Sequence, residues 1–267
     1  MNLNEEQIER YSRHIILPEI GGQGQEKLLD GSVLVVGAGG LGSPVLYYLA
    51  AAGVGRIGII DSDTVDLSNL QRQILHTTTE VGKDKTASAA DTLRRINPDV
   101  KFDLFQERLT TDNACKLIGR YDIAVDGSDN FATKFLVNDA AVLTETPYSH
   151  AGVLRFQGQL FTHLPGTSCL RCIFPEPPPP DAVPTCRQAG ILGAVAGVLG
   201  TMQAAEVLKF LLDEGNLLTN SLLTADIKNM QFRKIKVNRN QECPICGVEP
   251  TISDPREVNY EEPQCQL

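Results

Sequence analysis

The sequence predicts an α/β fold: a doubly wound, mostly parallel sheet with a C-terminal extension of β-strands. Three observations predict it. Short β-branched runs alternate with helical stretches from residue 31 to about 146, as in a parallel sheet with helices on both faces. The first strand-to-helix turn is glycine-rich. Beyond Thr146-Pro147 the apolar residues recur with period two, as in strands with one buried face.

Residues 1–30 read as an N-terminal helical arm. Asn4 followed by Gln7 resembles a capping box, and Ile8, Tyr11 and Ile15 fall on one face. Residues 31–165 form the α/β core. Val33 to Val36 is a strand, Leu41 to Ala52 a helix ended by Gly53, and Ile57 to Ile60 a strand that closes on Asp61. A helix from Lys83 to Ile96 stops at Asn97-Pro98. Val100 to Phe105 is strand-like, Thr111 to Ile118 a short helix, and Tyr121 to Val125 a buried strand ending in DGSDN. A helix from Phe131 to Leu143 follows. Beyond Thr146-Pro147, Gly158 to Thr162 and later Met230 to Val237 are strand-like, and residues 166–247 hold a crossover loop, a helix and C-terminal strands. The loop PEPPPPDAVP (Pro175 to Pro184) is too proline-rich for a helix or a sheet interior. Residues 248–267 are polar and expected to be a flexible tail.

The longest apolar stretch, Gly190 to Leu212, has the length of a membrane span. Gln203, Glu206 and Lys209 recur every three residues on its second half, which implies a solvated helix face. Gly193 and Gly197 permit close helix contact. A buried helix of a soluble protein is therefore expected. With 24 basic and 33 acidic residues the net charge is −9, which disfavours nucleic acid or an acidic membrane as partner. The start MNLNEEQIER lacks the pattern of a signal peptide, and a cytoplasmic location is expected.

The chemistry begins at VVGAGGLG. Gly37, Gly39 and Gly42 make G-x-G-x-x-G between a strand and a helix, suited to a tight turn, close approach to phosphate and close helix–strand packing. The helix N-terminus favours an anion, and Asp61 lies where an acid takes a ribose hydroxyl. This is a Rossmann-like nucleotide cradle, for which a nicotinamide dinucleotide is the ordinary inference. Arg72 and Lys85 argue otherwise. A dehydrogenase has no use for two cations there, whereas a triphosphate under attack needs its charge neutralised. Asp129 completes the set as a magnesium ligand. Any one of these alone would read as a solvated surface charge.

Seven cysteines include two C-x-x-C pairs, Cys169/Cys172 and Cys243/Cys246, with seventy residues between the pairs. Four thiolates in two such pairs suit a closed tetrahedral zinc site. The alternative is a redox pair, for which a second pair is superfluous.

RYSRHIIL, VVGAGGLG, DSDTVDLSNLQRQ, GKDK, DGSDN and the two C-x-x-C pairs together resemble the ubiquitin-activating-type adenylating enzymes, most of all the MoeB, ThiF and HesA group. The resemblance spans Glu9 to Gly247. It implies ATP-dependent adenylation of the C-terminal glycine carboxylate of a small ubiquitin-fold sulfur carrier with a Gly-Gly end, before thiocarboxylate formation. It also implies that Gly40 and Asp61 hold ATP, with Asn69, Arg72 and Lys85 on its phosphates and Asp129 on magnesium, and that Asp63, Ser68 and Asn130 belong to the same nucleotide site. Arg13 would reach into the partner's site of a homodimer. Cys186 falls where the family can carry a reactive cysteine, and the adjacent Arg187 and the following helix would lower its pKa. Two departures stand out: Gly127 replaces a cysteine frequent in the family, and no sulfur-transfer domain follows Cys246, so a separate donor protein is expected. Because the carboxylate is itself the nucleophile, no general base is needed. His14, His76, His150 and His163 are expected to be structural, with His76 of most interest. The competing readings are a dinucleotide-dependent oxidoreductase, a non-catalytic zinc-bearing interaction module and a tRNA-modifying relative, the last disfavoured by the acidic balance.

Overall fold

A computed structural model describes residues 3–179 and 189–260. Five strands run parallel: β1 (Ser32–Val36), β2 (Arg56–Ile60), β3 (Lys101–Phe105), β4 (Ile123–Asp126) and β5 (Tyr148–Leu154). Three more add antiparallel at one side: β6 (Gln157–His163), β7 (Ser221–Asp226) and β8 (Gln231–Lys236). The spatial order is β3-β2-β1-β4-β5-β6-β7-β8. The order reverses beside β1, where a crevice opens at the carboxyl ends of β1 and β4.

β1 shows why the parallel half reads as unbroken apolar runs. All five of its residues are buried. Val33 and Val35 face a core formed with α4 (Gly42–Ala52), α5 (Lys85–Ile96) and α9 (Gly193–Leu212). Leu34 and Val36 face the opposite core, formed with α6 (Ala114–Ile118) and α7 (Phe131–Leu143). A strand covered on both sides has no polar face to alternate with. α7 has the expected bounds, and α5 begins two residues later than expected, at Lys85.

The N-terminal arm is not one helix. It divides into α1 (Glu5–Arg10), α2 (Ser12–Ile15) and α3 (Gly21–Asp30). The Asn4–Gln7 capping box is present. The expected apolar face is split: Tyr11 is buried and its hydroxyl accepts a hydrogen bond from Asn97 Nδ2 at 2.8 Å, whereas Ile8 is exposed.

The polar stripe on α9 is also corrected. Gln203 and Glu206 are buried, not solvated. Gln203 Nε2 donates to the carbonyls of Asp126 and Ser149, and Glu206 Oε2 accepts from Thr162 Oγ1 at 2.6 Å and Leu218 N–H at 2.7 Å. Lys209 pairs with Glu206. These residues lock the helix onto the sheet. By length and composition α9 could cross a membrane, yet half of its apolar window is buried within the protein. Gly200 packs against the start of α4 and Gly193 against the backbone of Gln71 and Arg72, whereas a side chain at Gly197 would meet nothing within 4 Å.

The C-terminal segment is anchored as far as Tyr260 instead of trailing free. Its hydroxyl donates to Asp139 Oδ2 at 2.5 Å, a carboxylate that also accepts two bonds from Arg171 on α8 (Leu170–Ile173).

Candidate nucleotide site and metal centre

A cavity of about 1220 Å³ lies beyond the carboxyl ends of β1, β2 and β4. Gly37 starts its floor with φ +95°, and a Cβ there would stand 2.9 Å from the Gly127 carbonyl. Gly42 packs so closely that a Cβ would sit 1.9 Å from the Gly37 carbonyl oxygen. Gly42 does not line the cavity, whereas Gly37, Gly39 and Gly40 do. The third glycine thus serves packing between turn and helix, and the other two lend backbone to a ligand.

Asp61 accepts the backbone N–H groups of Ala38 at 2.8 Å and Asp63 at 2.9 Å. Burial raises its pKa, opposed by the Lys85 charge and these two bonds. Lys85 opens α5, is itself buried and places Nζ 2.9 Å from Asp63 Oδ2, whose side chain is 61% exposed. An exposed counter-ion of this kind can be exchanged for a ligand anion at little cost. Arg72 lines the cavity and donates Nη1 to the Ser68 carbonyl at 3.0 Å. Asp129 and Asn130 also line the cavity. Asn130 Oδ1 caps α7 by accepting the Thr133 N–H, and exposed Asp129 accepts only a 3.5 Å contact from Asn130 Nδ2 among the described residues.

Other expected residues are not gathered here. Ser68 and Asn69 sit on a short 3₁₀ turn (Leu67–Asn69) outside the cavity lining, and the Ser68 hydroxyl is bonded to Asp66 Oδ1 at 2.5 Å. Arg13 is exposed on α2, away from the cavity of its own chain and with no polar contact among the described residues. Cys186 and Arg187 lie outside the described residues. At Gly127 a Cβ would stand 3.0–3.2 Å from the backbone of Val36, Gly37 and Gly42.

Three groups were not expected at this site, among them His150, which was expected to be structural. Gln73 lines the cavity and its buried Oε1 has no hydrogen-bond partner among the described residues. Its position next to Arg72 was the only available signal. The other two, Lys134 and His150, converge on Asp126. Asp126 Oδ2 lies 3.1 Å from Lys134 Nζ and 2.7 Å from His150 Nδ1. His76, the histidine of most interest, is buried between Ser88 Oγ at 2.8 Å and the Ala38 carbonyl at 2.9 Å, so it braces the glycine turn.

The four C-x-x-C sulfurs come together, all within 4.8 Å of one another. Three separations are 3.4, 3.6 and 3.9 Å. Tetrahedral zinc with Zn–S bonds of about 2.3 Å places sulfurs about 3.8 Å apart, so Cys169, Cys172, Cys243 and Cys246 fit the ion. Cys172 also accepts the Asn240 N–H at 3.3 Å. Hydrogen bonding among the sulfurs holds Cys172 down and pushes Cys169 up, as expected where one thiolate is shared by neighbouring thiols. The centre ties the chain from Cys243 onward to the start of the crossover.

Fold and cavity define a nucleotide-binding α/β protein with a cysteine cluster that could hold zinc. More particularly, the chain belongs to the ThiF family, which matches residues 11–245. It is 49% identical over 257 residues to the "Sulfur carrier protein adenylyltransferase" of Thermus thermophilus, with 94% of this chain and 95% of that protein covered. It is 43% identical to the "SAMP-activating enzyme E1" of Haloferax volcanii, with 98% and 97% covered. It is 47% identical to the "Adenylyltransferase and sulfurtransferase MOCS3" of Sus scrofa, covering 94% of this chain but 56% of that protein. Among solved structures, E. coli MccB superposes with a TM-score of 0.81 at 25% identity, with 93% of this chain and 75% of that chain covered. The same protein has been solved with ATP.

Proposed function

We propose that this chain uses ATP to adenylate the C-terminal glycine carboxylate of a small ubiquitin-fold sulfur carrier ending in Gly-Gly. The observation that carries the reading is the convergence of Arg72, Lys85 and Asp129 on a Rossmann-like cradle, in a family whose close relatives are named adenylyltransferases. A hydride-transfer site gives these cations nothing to do.

In this reading Asp61 accepts the ribose hydroxyls, which lowers the cost of its buried charge. The backbone of Gly39 and Gly40 approaches the phosphates. The carrier carboxylate attacks the α-phosphorus and pyrophosphate departs, leaving an acyl-adenylate. Lys85 exchanges Asp63 for phosphate oxygens, and Arg72 turns its free guanidinium nitrogens to them. No base is required, so catalysis rests on positioning and charge stabilisation. Asp129 with Asn130 would hold magnesium, which when bound neutralises developing phosphate charge. Ser68 and Asn69 support Arg72 from behind.

Arg13 is assigned to the partner's site in a homodimer, because it is exposed and has no polar partner among the described residues. Exposed Ile16 and Leu17 beside it supply apolar surface for such a contact. Sulfur is assigned to a separate donor protein, and the compartment to the cytoplasm. Cys186 is assigned to attack on the acyl-adenylate, releasing AMP and forming a thioester. Carrier-dependent ATP–pyrophosphate exchange tests the central step. It should require the Gly-Gly end. Exchange that proceeds without a carrier, or no exchange with any Gly-Gly carrier, would overturn it. For Arg13, mixing Arg13→Ala with Asp129→Ala subunits should restore part of the activity, and mixtures as inactive as the parents would remove the assignment in trans.

A further inference from the structure

Asp126 ends β4 and pairs in register with His150 of β5. Its carboxylate is fully buried and completely engaged. Oδ1 accepts the Ser128 N–H at 3.0 Å and the Ser128 hydroxyl at 2.5 Å, while Oδ2 accepts from Lys134 and His150. Burial pushes this carboxyl up, but the Lys134 ammonium and the hydrogen bonds outweigh it and hold the group well below the usual range. An ionised carboxylate can only accept. The hydrogen between the two side chains therefore belongs to His150 Nδ1.

Burial also lowers the His150 pKa, against the pull of Asp126. The imidazole is neutral near pH 7, and with its proton on Nδ1 it carries a lone pair on Nε2. That nitrogen is buried and has no hydrogen-bond partner among the described residues. An unpaired buried acceptor of this kind is costly to leave unmade. The ring is fixed in place by Phe161, with centroids 5.0 Å apart, and His150 lines the cavity.

The register places His150 between the two halves of that cavity. Asp126 leads directly into Gly127, Ser128 and Asp129 on the nucleotide side. His150 leads into Gly152, Val153 and Leu154, which line the remainder of the cavity with Gln157 to Gln159. A chain end entering from that second half would meet His150 just before its carboxylate reaches the nucleotide. A neutral nitrogen lone pair repels a carboxylate and accepts an N–H. In a Gly-Gly end, the last peptide N–H is one carbon from the carboxylate.

We propose that His150 binds the carrier's tail, its Nε2 accepting a hydrogen bond from the last peptide N–H and turning the carboxylate towards the nucleotide. Asp126 and Lys134 position the ring. The inference rests on the adenylation reading and gives His150 a substrate-binding role instead of a structural one.

The test uses a ubiquitin-fold carrier ending in Gly-Gly, prepared with its last linkage either as the amide or as an ester that lacks the N–H. The wild-type protein is expected to show a KM for the ester carrier roughly tenfold above that for the amide, the size of one lost hydrogen bond. His150→Ala is expected to raise the amide KM by a similar factor, to lose most of the difference between the carriers, and to keep its KM for ATP. His150→Asn, which stays polar beside Asp126 but is too short to reach as far, repeats the comparison should the alanine variant fail to fold. Equal KM values for both carriers in the wild type, or the same ester penalty with and without His150, would overturn the inference while leaving adenylation standing. Absence of exchange in the wild type with the amide carrier would overturn the adenylation reading, and this inference with it.

Discussion

Two carboxylates stand at the carboxyl ends of the parallel strands on either side of β1, Asp61 after β2 and Asp126 in β4, and each lies near a lysine in the first turn of the next helix. At Asp61 the cluster is open. Its lysine, Lys85, reaches past it to Asp63, a largely exposed side chain. Burial raises the Asp61 pKa, and the Lys85 charge offsets it only in part. At Asp126 the cluster is closed, with Lys134, His150 and Ser128 all bonded to one buried carboxylate. The difference teaches which charges a ligand can recruit. Lys85 can change partners at small cost, whereas Lys134 would leave an unpaired anion in the core.

The comparison extends to the four sulfurs, a third cluster that is closed only when a cation fills it. The largest effect is expected there. One zinc per chain should be found in protein purified without chelator, and its removal should lower the melting temperature sharply, because metal binding by such a site is folding free energy. Metal analysis that finds no zinc would contradict the reading.

Next in size, Asp126→Ala should destabilise the fold by about 3–5 kcal/mol, leaving the Lys134 ammonium buried and uncompensated. Asp63→Ala, the matching change in the open cluster, should cost clearly less, because Lys85 keeps the Asp61 charge nearby and loses only a largely exposed partner. Urea unfolding of both variants measures the contrast, and equal losses would break it. For activity the ranking reverses. Asp129→Ala should reduce pyrophosphate exchange by roughly two to three orders of magnitude with the melting temperature unchanged, and near-wild-type exchange would remove Asp129 from the site.

A smaller effect follows from pH. Burial lowers the pKa of His76, His150 and His163 below their ordinary 6.5 in the folded state. Below pH 6.5 the unfolded chain therefore binds more protons than the folded one, so stability falls as pH falls. Each histidine contributes a slope of at most about 1.4 kcal/mol per pH unit, until its folded pKa is passed. Asp126, also depressed, adds its own loss as pH drops below about 3.8. Asp61 acts with the opposite sign: its raised pKa makes its contribution less favourable as pH rises above 3.8. Stability that is flat between pH 7 and pH 5 would contradict the histidine assignments.

The open cluster was legible in the sequence, and the closed one was not. Gly37, Asp61, Arg72 and Lys85 belong to short contiguous motifs in which charge follows an apolar strand directly. Asp126, Lys134 and His150 are joined by sheet register and by a helix returning over the strand, which no local pattern reports. His150 and Gly152 also break the apolar run that would have announced β5 as a strand. The same limit applied to α9. Gln203 and Glu206 have the spacing of a wet face, but the groups that satisfy them, the Asp126 and Ser149 carbonyls and Thr162, come from strands distant in sequence. The alternating parallel half was readable because burial on both faces leaves continuous β-branched runs. In the antiparallel half β6 and β8 were read as strands, although β8 is exposed along its whole length, and β7 was missed.

Intact mass of a Gly-Gly-ended ubiquitin-fold carrier, after incubation with this protein and ATP, tests the central claim most directly. The predicted result is a carrier heavier by one AMP, labile to hydroxylamine and absent when the terminal glycine is removed. A carrier of unchanged mass under conditions where a related sulfur-carrier adenylyltransferase modifies it, or AMP attached regardless of the terminal glycine, would contradict the account.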